Sequence, residues 1–164
     1  MRDFSVIARM NLSELTNYIV NEFHIPAKEF IKKIKDLGFK IKKTCKIEKN
    51  LSLLIEIFNQ FEREFLSHID REEQEFFPEI IKLENWELED YSNLNKFLHI
   101  QDIEHNEIDS YLIWWKNIIK ELCLEDNKYY DELKKIMDIF YKESLDHLYI
   151  ENNILNVKVE EKIA

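Results

Sequence analysis

The chain has little of what makes tight turns: one glycine, Gly38, and two prolines, Pro26 and Pro78, in 164 residues. With Lys, Glu, Leu and Ile dominant, that scarcity argues for long helices and few loops. Neither a glycine-rich phosphate loop nor a nucleophile elbow is present, so nucleotide and acyl-transfer chemistry have no support. Cysteine is also scarce. Cys45 and Cys123 form no Cys-x-x-Cys pair, and the expectation is a reduced, cytoplasmic protein. Basic residues are outnumbered, 23 Lys and Arg against 33 Asp and Glu, and the formal net charge of −10 disfavours nucleic acid or an anionic membrane as partner. No apolar run is long enough to span a bilayer, and the apolar stretch in "MRDFSVIARM" is too short for a secretory signal.

What is present is helical periodicity. Apolar residues recur at steps of three and four in four stretches. The first runs from about Asn11 to Lys46, with Asn11 and Ser13 as caps, a kink or a restart just after His24 at Pro26, and the stripe His24, Ala27, Ile31, Ile34, Gly38, Ile41, Cys45. The second, from about Asn50 to Leu83, carries Leu51, Leu54, Phe58, Phe61, Phe65, His68, Glu72 and Phe76, with Pro78 bending or ending its last turns. The connection "ENWELEDYSN" follows, with Trp86 and Tyr91 expected to pack. The third, from about Asn93 to Cys123, carries Leu94, Leu98, Gln101, His105, Ile108, Leu112, Trp115, Ile119 and Leu122. The fourth, from about Lys128 to Asn153, carries Leu133, Met137, Phe140, Ser144, His147, Glu151 and Ile154. Short connections make neighbours antiparallel, so the expected fold is an all-α, up-down-up-down four-helix bundle over residues 11–156, with a leader 1–10 and a tail 157–164.

Each stripe carries polar residues where leucine is expected: His24, His68 with Glu72, His105, and His147 with Glu151. Counted from the connections, they fall at one depth. His24 and the His68–Glu72 pair each lie about 22 residues, roughly 33 Å at helical rise, from the first turn. Four imidazoles and two carboxylates at one level suit a pair of transition metals, with iron, manganese or zinc favoured over calcium or magnesium. Two histidines per metal and two bridging carboxylates give each ion four protein ligands, and the metal charge compensates the buried carboxylates. His99 falls off the stripe and reads as surface; Cys45, Cys123, Phe76 and Phe77 read as packing. Trp115 is expected in the core and Trp114 partly outside it. Glu73 and Glu75 read as a solvated face.

The segments "YIVNEFH", "EFLSHIDREEQEFFPEI", "IEHNEID" and "HLYIENNIL" together resemble the hemerythrin-like bundles, and among them the di-iron proteins called repair of iron centres. The resemblance covers roughly residues 12 to 155. It implies a non-haem, oxo- or hydroxo-bridged pair of iron ions on His24, His68, His105, His147, Glu72 and Glu151. It also implies two acidic residues lining an iron path, which fall on Glu64 and Glu104. Oxygen-carrying hemerythrins use five histidines; four on the stripes favour repair-type chemistry. The departures are the missing N-terminal cysteine-pair domain and "NILNVK" where the family has Phe-Pro. The implied role is iron supply to damaged or apo iron–sulfur proteins, or their protection, under nitrosative or oxidative stress. The alternatives are a module that binds or senses oxygen or nitric oxide, and a metal-free helical interaction protein.

Overall fold

The computed structural model describes residues 2–44, 49–121 and 127–164, which are all-helical, with no strand among them. Helices α1 (Phe4–Ile7) and α2 (Leu12–Ile19) lead through a π-helical turn, π1 (Val20–His24), into α3 (Ile25–Thr44). Next, α4 (Lys49–Arg71) passes through π2 (Glu72–Phe76) into α5 (Phe77–Glu84). The long helix α6 (Ser92–Glu121) follows, then α7 (Lys128–Ile150), π3 (Glu151–Leu155) and α8 (Asn156–Ile163). The readings of Cys45, Lys46, Leu122 and Cys123 lie outside the described residues. Among the described residues no helix is long and apolar enough to cross a membrane.

The starts follow from local chemistry. At α2 the Asn11 side chain accepts the Glu14 N–H at 2.8 Å, and the Glu14 carboxylate accepts the Asn11 N–H at 2.9 Å, a reciprocal capping box. Ser13 is not the cap: its N–H and that of Leu12 donate to Glu84 at the end of α5. At α7, Asn127 accepts the N–H groups of Tyr129 and Tyr130.

The stripes are buried as their spacing predicts, from Leu51 through Phe76 in the second stretch and from Leu133 through Ile154 in the fourth. Contacts between helices run in opposite chain directions. Lys28 meets Glu73 and Lys35 meets Glu62; Phe58 packs on Trp115 while His68 meets Glu104; Phe30 packs on Phe140 while His24 meets His147. Among the described residues the core forms two apolar clusters. One, around Phe61, Phe65, Trp115 and Phe140, draws on α3, α4, α6 and α7. The other, around Leu15, Ile19, Phe76, Ile80 and Ile150, draws on α2, α5 and the neighbourhood of π3.

The structure adds detail to several expectations. At both prolines a new α-helical segment begins after a π turn: α3 restarts at Ile25, just after His24, as expected, and α5 starts at Phe77, so each proline sits in the first turn. There the N–H of Ile25 reaches back to Val20 and that of Phe77 to Glu72, so the α-helical ladder that proline interrupts is already re-spaced. Trp86 does not pack: with φ 60° it ends the turn after α5 and stays 76% exposed, covered on one face by Lys162. The tail is helical to Ile163, because π3 re-phases the stripe so that Ile154, Leu155 and Val159 are buried together. The leader is likewise packed, with Ile7 buried and Arg2 bonded to Asp146 and Glu143.

Candidate metal centre

Along the helices, the changeover from one apolar cluster to the other is where the polar residues fall. His24 ends π1, Glu72 opens π2 one turn after His68, and Glu151 opens π3 one turn after His147. A π turn widens the helix by about one residue and often marks functional positions. Its trace is a pair of adjacent buried residues at each turn: Phe23–His24, Phe76–Phe77 and Ile154–Leu155.

The six residues meet. His24, Glu72, His147 and Glu151 form one buried group; His68, Glu72, His105 and Glu151 form another; in each, the ligand atoms lie within 4.8 Å of one another. The two carboxylates are common to both groups. All four imidazoles turn Nε2 inward. His24 Nε2 lies 3.2 Å from Glu72 Oε2 and 3.2 Å from His147 Nε2, and His147 Nε2 is 2.7 Å from Glu151 Oε1. In the second group, His68 Nε2 is 3.4 Å from Glu72 Oε2 and His105 Nε2 is 3.3 Å from Glu151 Oε2. None of the six is more than 4% exposed.

Outer partners fix three of the rings. His24 Nδ1 faces Glu73 at 3.0 Å, His68 Nδ1 faces Glu104 at 3.1 Å, and His105 Nδ1 donates to Asn152 Oδ1 at 2.7 Å. A carboxylate or amide oxygen at Nδ1 holds the proton there and leaves the Nε2 lone pair for the centre. Lys28 holds Glu73 and Arg71 holds Glu104, while Gln101 Nε2 donates to Glu72. Phe77 stacks on His24 and Phe23 on His147, which keeps water from the two rings.

Four of the inward-facing atoms are not satisfied by the protein. His68 Nε2, His105 Nε2, Glu72 Oε2 and Glu151 Oε2 are buried without a hydrogen-bond partner. Four orphaned atoms converging from two imidazoles and two carboxylates fit a cation, which supplies the partner that each lone pair lacks. Titration reflects the same crowding. Burial works against the charged form of His24, but the neighbouring carboxylates of Glu151 and Glu72 raise it to about 9. His68 is also raised: its burial is outweighed by Glu72 and Glu151. Burial dominates at His147 and lowers it. Burial would raise Glu151, yet His147, His105 and His24 hold it well below the carboxylate range.

Every one of His24, His68, Glu72, His105, His147 and Glu151 is therefore in the cluster. Glu104 is beside it, on His68. Glu64 is not: it is exposed, near Tyr111 on a shallow cleft with Glu107 and Trp114, because Phe65 holds the buried place on that turn. Sequence reasoning missed Glu73, Asn152 and the role of Gln101. Glu73 is no mere solvated residue; it follows Glu72 into π2 and reaches His24. Gln101 did carry a signal, as a polar residue on the stripe one turn before His105. His99 and Trp114 are exposed and Trp115 is buried, as their spacing predicts. Comparison with known proteins gave no match, either to a family model or to the sequence of a curated protein, so the functional reading rests on this geometry.

Proposed function

We propose that the chain is a dinuclear iron protein on an up-down-up-down four-helix bundle of the hemerythrin-like kind, and that it supplies iron for the repair of damaged iron–sulfur proteins. The observation that carries the metal reading is the pair of buried four-residue groups sharing Glu72 and Glu151. The opposed direction of the helix contacts supports the bundle. Mixed imidazole and carboxylate donors support iron among the transition metals. When bound, the iron pair would supply redox change and open coordination positions.

The chain's own residues do the rest. Glu73, Glu104 and Asn152 orient three imidazoles, and Gln101 steadies one shared carboxylate. Glu104 is partly exposed and touches both His68 and Arg71, so it links the buried group to the surface and offers an oxygen to a departing ion. A second reading, reversible binding of oxygen or nitric oxide, draws on a different feature. A narrow crevice lined mainly by Phe23, Phe30, Phe65 and Phe140, with Glu22 and Glu143 also in its lining, reaches His147, a largely apolar approach for an uncharged diatomic molecule.

The test is iron transfer. Protein purified without oxygen and reduced is mixed with an apo iron–sulfur protein, and iron in the acceptor is measured. The repair reading expects the acceptor to gain iron and Glu104→Leu to slow the gain. Iron that stays bound through repeated redox cycles, with a reversible spectral change on adding nitric oxide, would overturn it in favour of the binding module.

A further inference from the structure

Away from the His and Glu cluster, α3 and α4 touch sparingly, whereas α3 packs along α7 and α4 along α6. The gap is a groove of about 270 Å³, close to the lower size of a small-molecule site. Ile34 of α3 and Leu54 and Phe58 of α4 form its walls, and Leu133 and Met137 of α7 form its floor.

The chain's one glycine lines this groove. Gly38 lies inside α3, where glycine is destabilising relative to alanine. Nothing in the backbone requires it: φ is not positive, and a Cβ there would meet no atom within 4 Å. The space that the missing side chain leaves is therefore open space of the groove itself.

The wall that holds Gly38 is basic in an acidic protein. Helix α3 carries seven lysines against Glu29 and Asp36, in a chain of net charge −10. Lys35 on the rim pairs with Glu62 at 2.8 Å. Lys42, also on the rim, is exposed and has no ion-pair partner among the described residues. An apolar trough with an uncompensated ammonium at its mouth selects an amphiphile with one negative head.

We infer that this groove binds a single-chain aliphatic carboxylate, its tail lying between α3 and α4 over Met137 and its head at Lys42. The acidity of the rest of the chain favours a free carboxylate over an anionic bilayer, which the surface beyond α3 would repel.

Calorimetric titration of the full-length protein with dodecanoate, below its micelle concentration, tests this. One saturable site per chain is expected, with dodecanol bound more weakly. Gly38→Leu, which fills the groove, should weaken dodecanoate by about tenfold. Lys42→Glu, at an exposed position that cannot unfold the protein, should weaken dodecanoate and leave dodecanol unchanged. Circular dichroism checks that Gly38→Leu keeps its helix. Absence of saturable binding, or equal affinity in the wild type and both variants, overturns the inference. Binding to phosphatidylglycerol vesicles without binding of dodecanoate overturns it in favour of a membrane surface, and a dimer abolished by Gly38→Leu does so in favour of a second copy of the chain.

Discussion

Two regions of the interior are equally buried and held by different means. In the aromatic cluster, Phe61 lies 5.1 Å from Phe65 and 5.0 Å from Trp115 between ring centroids, and Phe140 lies 5.8 Å from Phe65 and 5.6 Å from Trp115. Every group there finds its partner in another ring, and burial alone stabilises it. In the neighbouring polar layer, the Nε2 atoms of His68 and His105 and the Oε2 atoms of Glu72 and Glu151 have none. Such a layer is costly unless something cationic completes it. The backbone differs as well: α4 and α7 run as regular helices through the aromatic cluster, while π1, π2 and π3 all fall at the polar layer. The aromatic cluster is thus a structural core complete in itself, and the polar layer has the donors to hold a metal ion.

The largest effect expected from this contrast is on adding metal. Each ion at a thousandfold excess over its Kd adds about 4 kcal/mol to the native state, so two add about 8 kcal/mol. Denaturant unfolding with iron and with a chelator measures it. Equal stability in both would show that the polar layer is satisfied without metal.

Next comes the core itself. Phe61→Ala should cost about 3–5 kcal/mol, and by the same amount with and without metal, since the rings Phe61 packs on are Phe58, Phe65, Tyr111, Trp115 and Phe140 and not the histidines. A loss confined to the metal-loaded form would break the separation of the two regions.

A smaller effect belongs to the outer partners. Glu73→Leu and Glu104→Leu should each lower metal affinity by about 10- to 100-fold, because His24 and His68 lose the oxygen that accepts from Nδ1 and orients them. Exposed Glu75→Gln serves as the control and should leave affinity unchanged. Metal titration in the presence of a competing chelator distinguishes them.

The smallest expected effect is on pH dependence. In metal-free protein His24 is raised from 6.5 to about 9, so its contribution is complete below pH 6.5 and is lost as pH rises through 9. His147, lowered by burial, has the opposite sign and contributes above pH 6.5. Glu151, held low, contributes above pH 4.5 and loses that contribution as pH falls through its depressed value. Metal-free protein should therefore be most stable near pH 6.5 and weaken towards pH 9, whereas metal on His24 excludes the proton and removes the alkaline decline. Thermal unfolding from pH 5 to 9 with and without metal checks this; matching profiles would refute it.

How much of this was legible in the sequence follows from the same contrast. The stripe from Leu51 to Phe76 is regular, so its burial could be read, and His68 and Glu72 stood out as intrusions. Counting helical rise from the connections then brought the six residues together. The π turns could not be read that way, because stripe counting assumes an unbroken α-helical period. Their trace, the adjacent pairs Phe23–His24, Phe76–Phe77 and Ile154–Leu155, is visible once they are known. Glu73 and Asn152 stayed hidden because each lies next to a stripe carboxylate, in a π turn and off the α-helical face. Glu64 is one turn from His68 in sequence, but Phe65 occupies the inward position and leaves Glu64 exposed.

The most direct test of the central claim is the metal count and local structure of the iron-loaded protein, by elemental analysis and X-ray absorption. The account predicts two iron ions per chain, each with imidazole nitrogen neighbours and a second iron within the same cluster, and loss of both in Glu151→Gln. A single ion per chain, an absorption spectrum without an iron neighbour, or full retention of two ions by Glu151→Gln would contradict it.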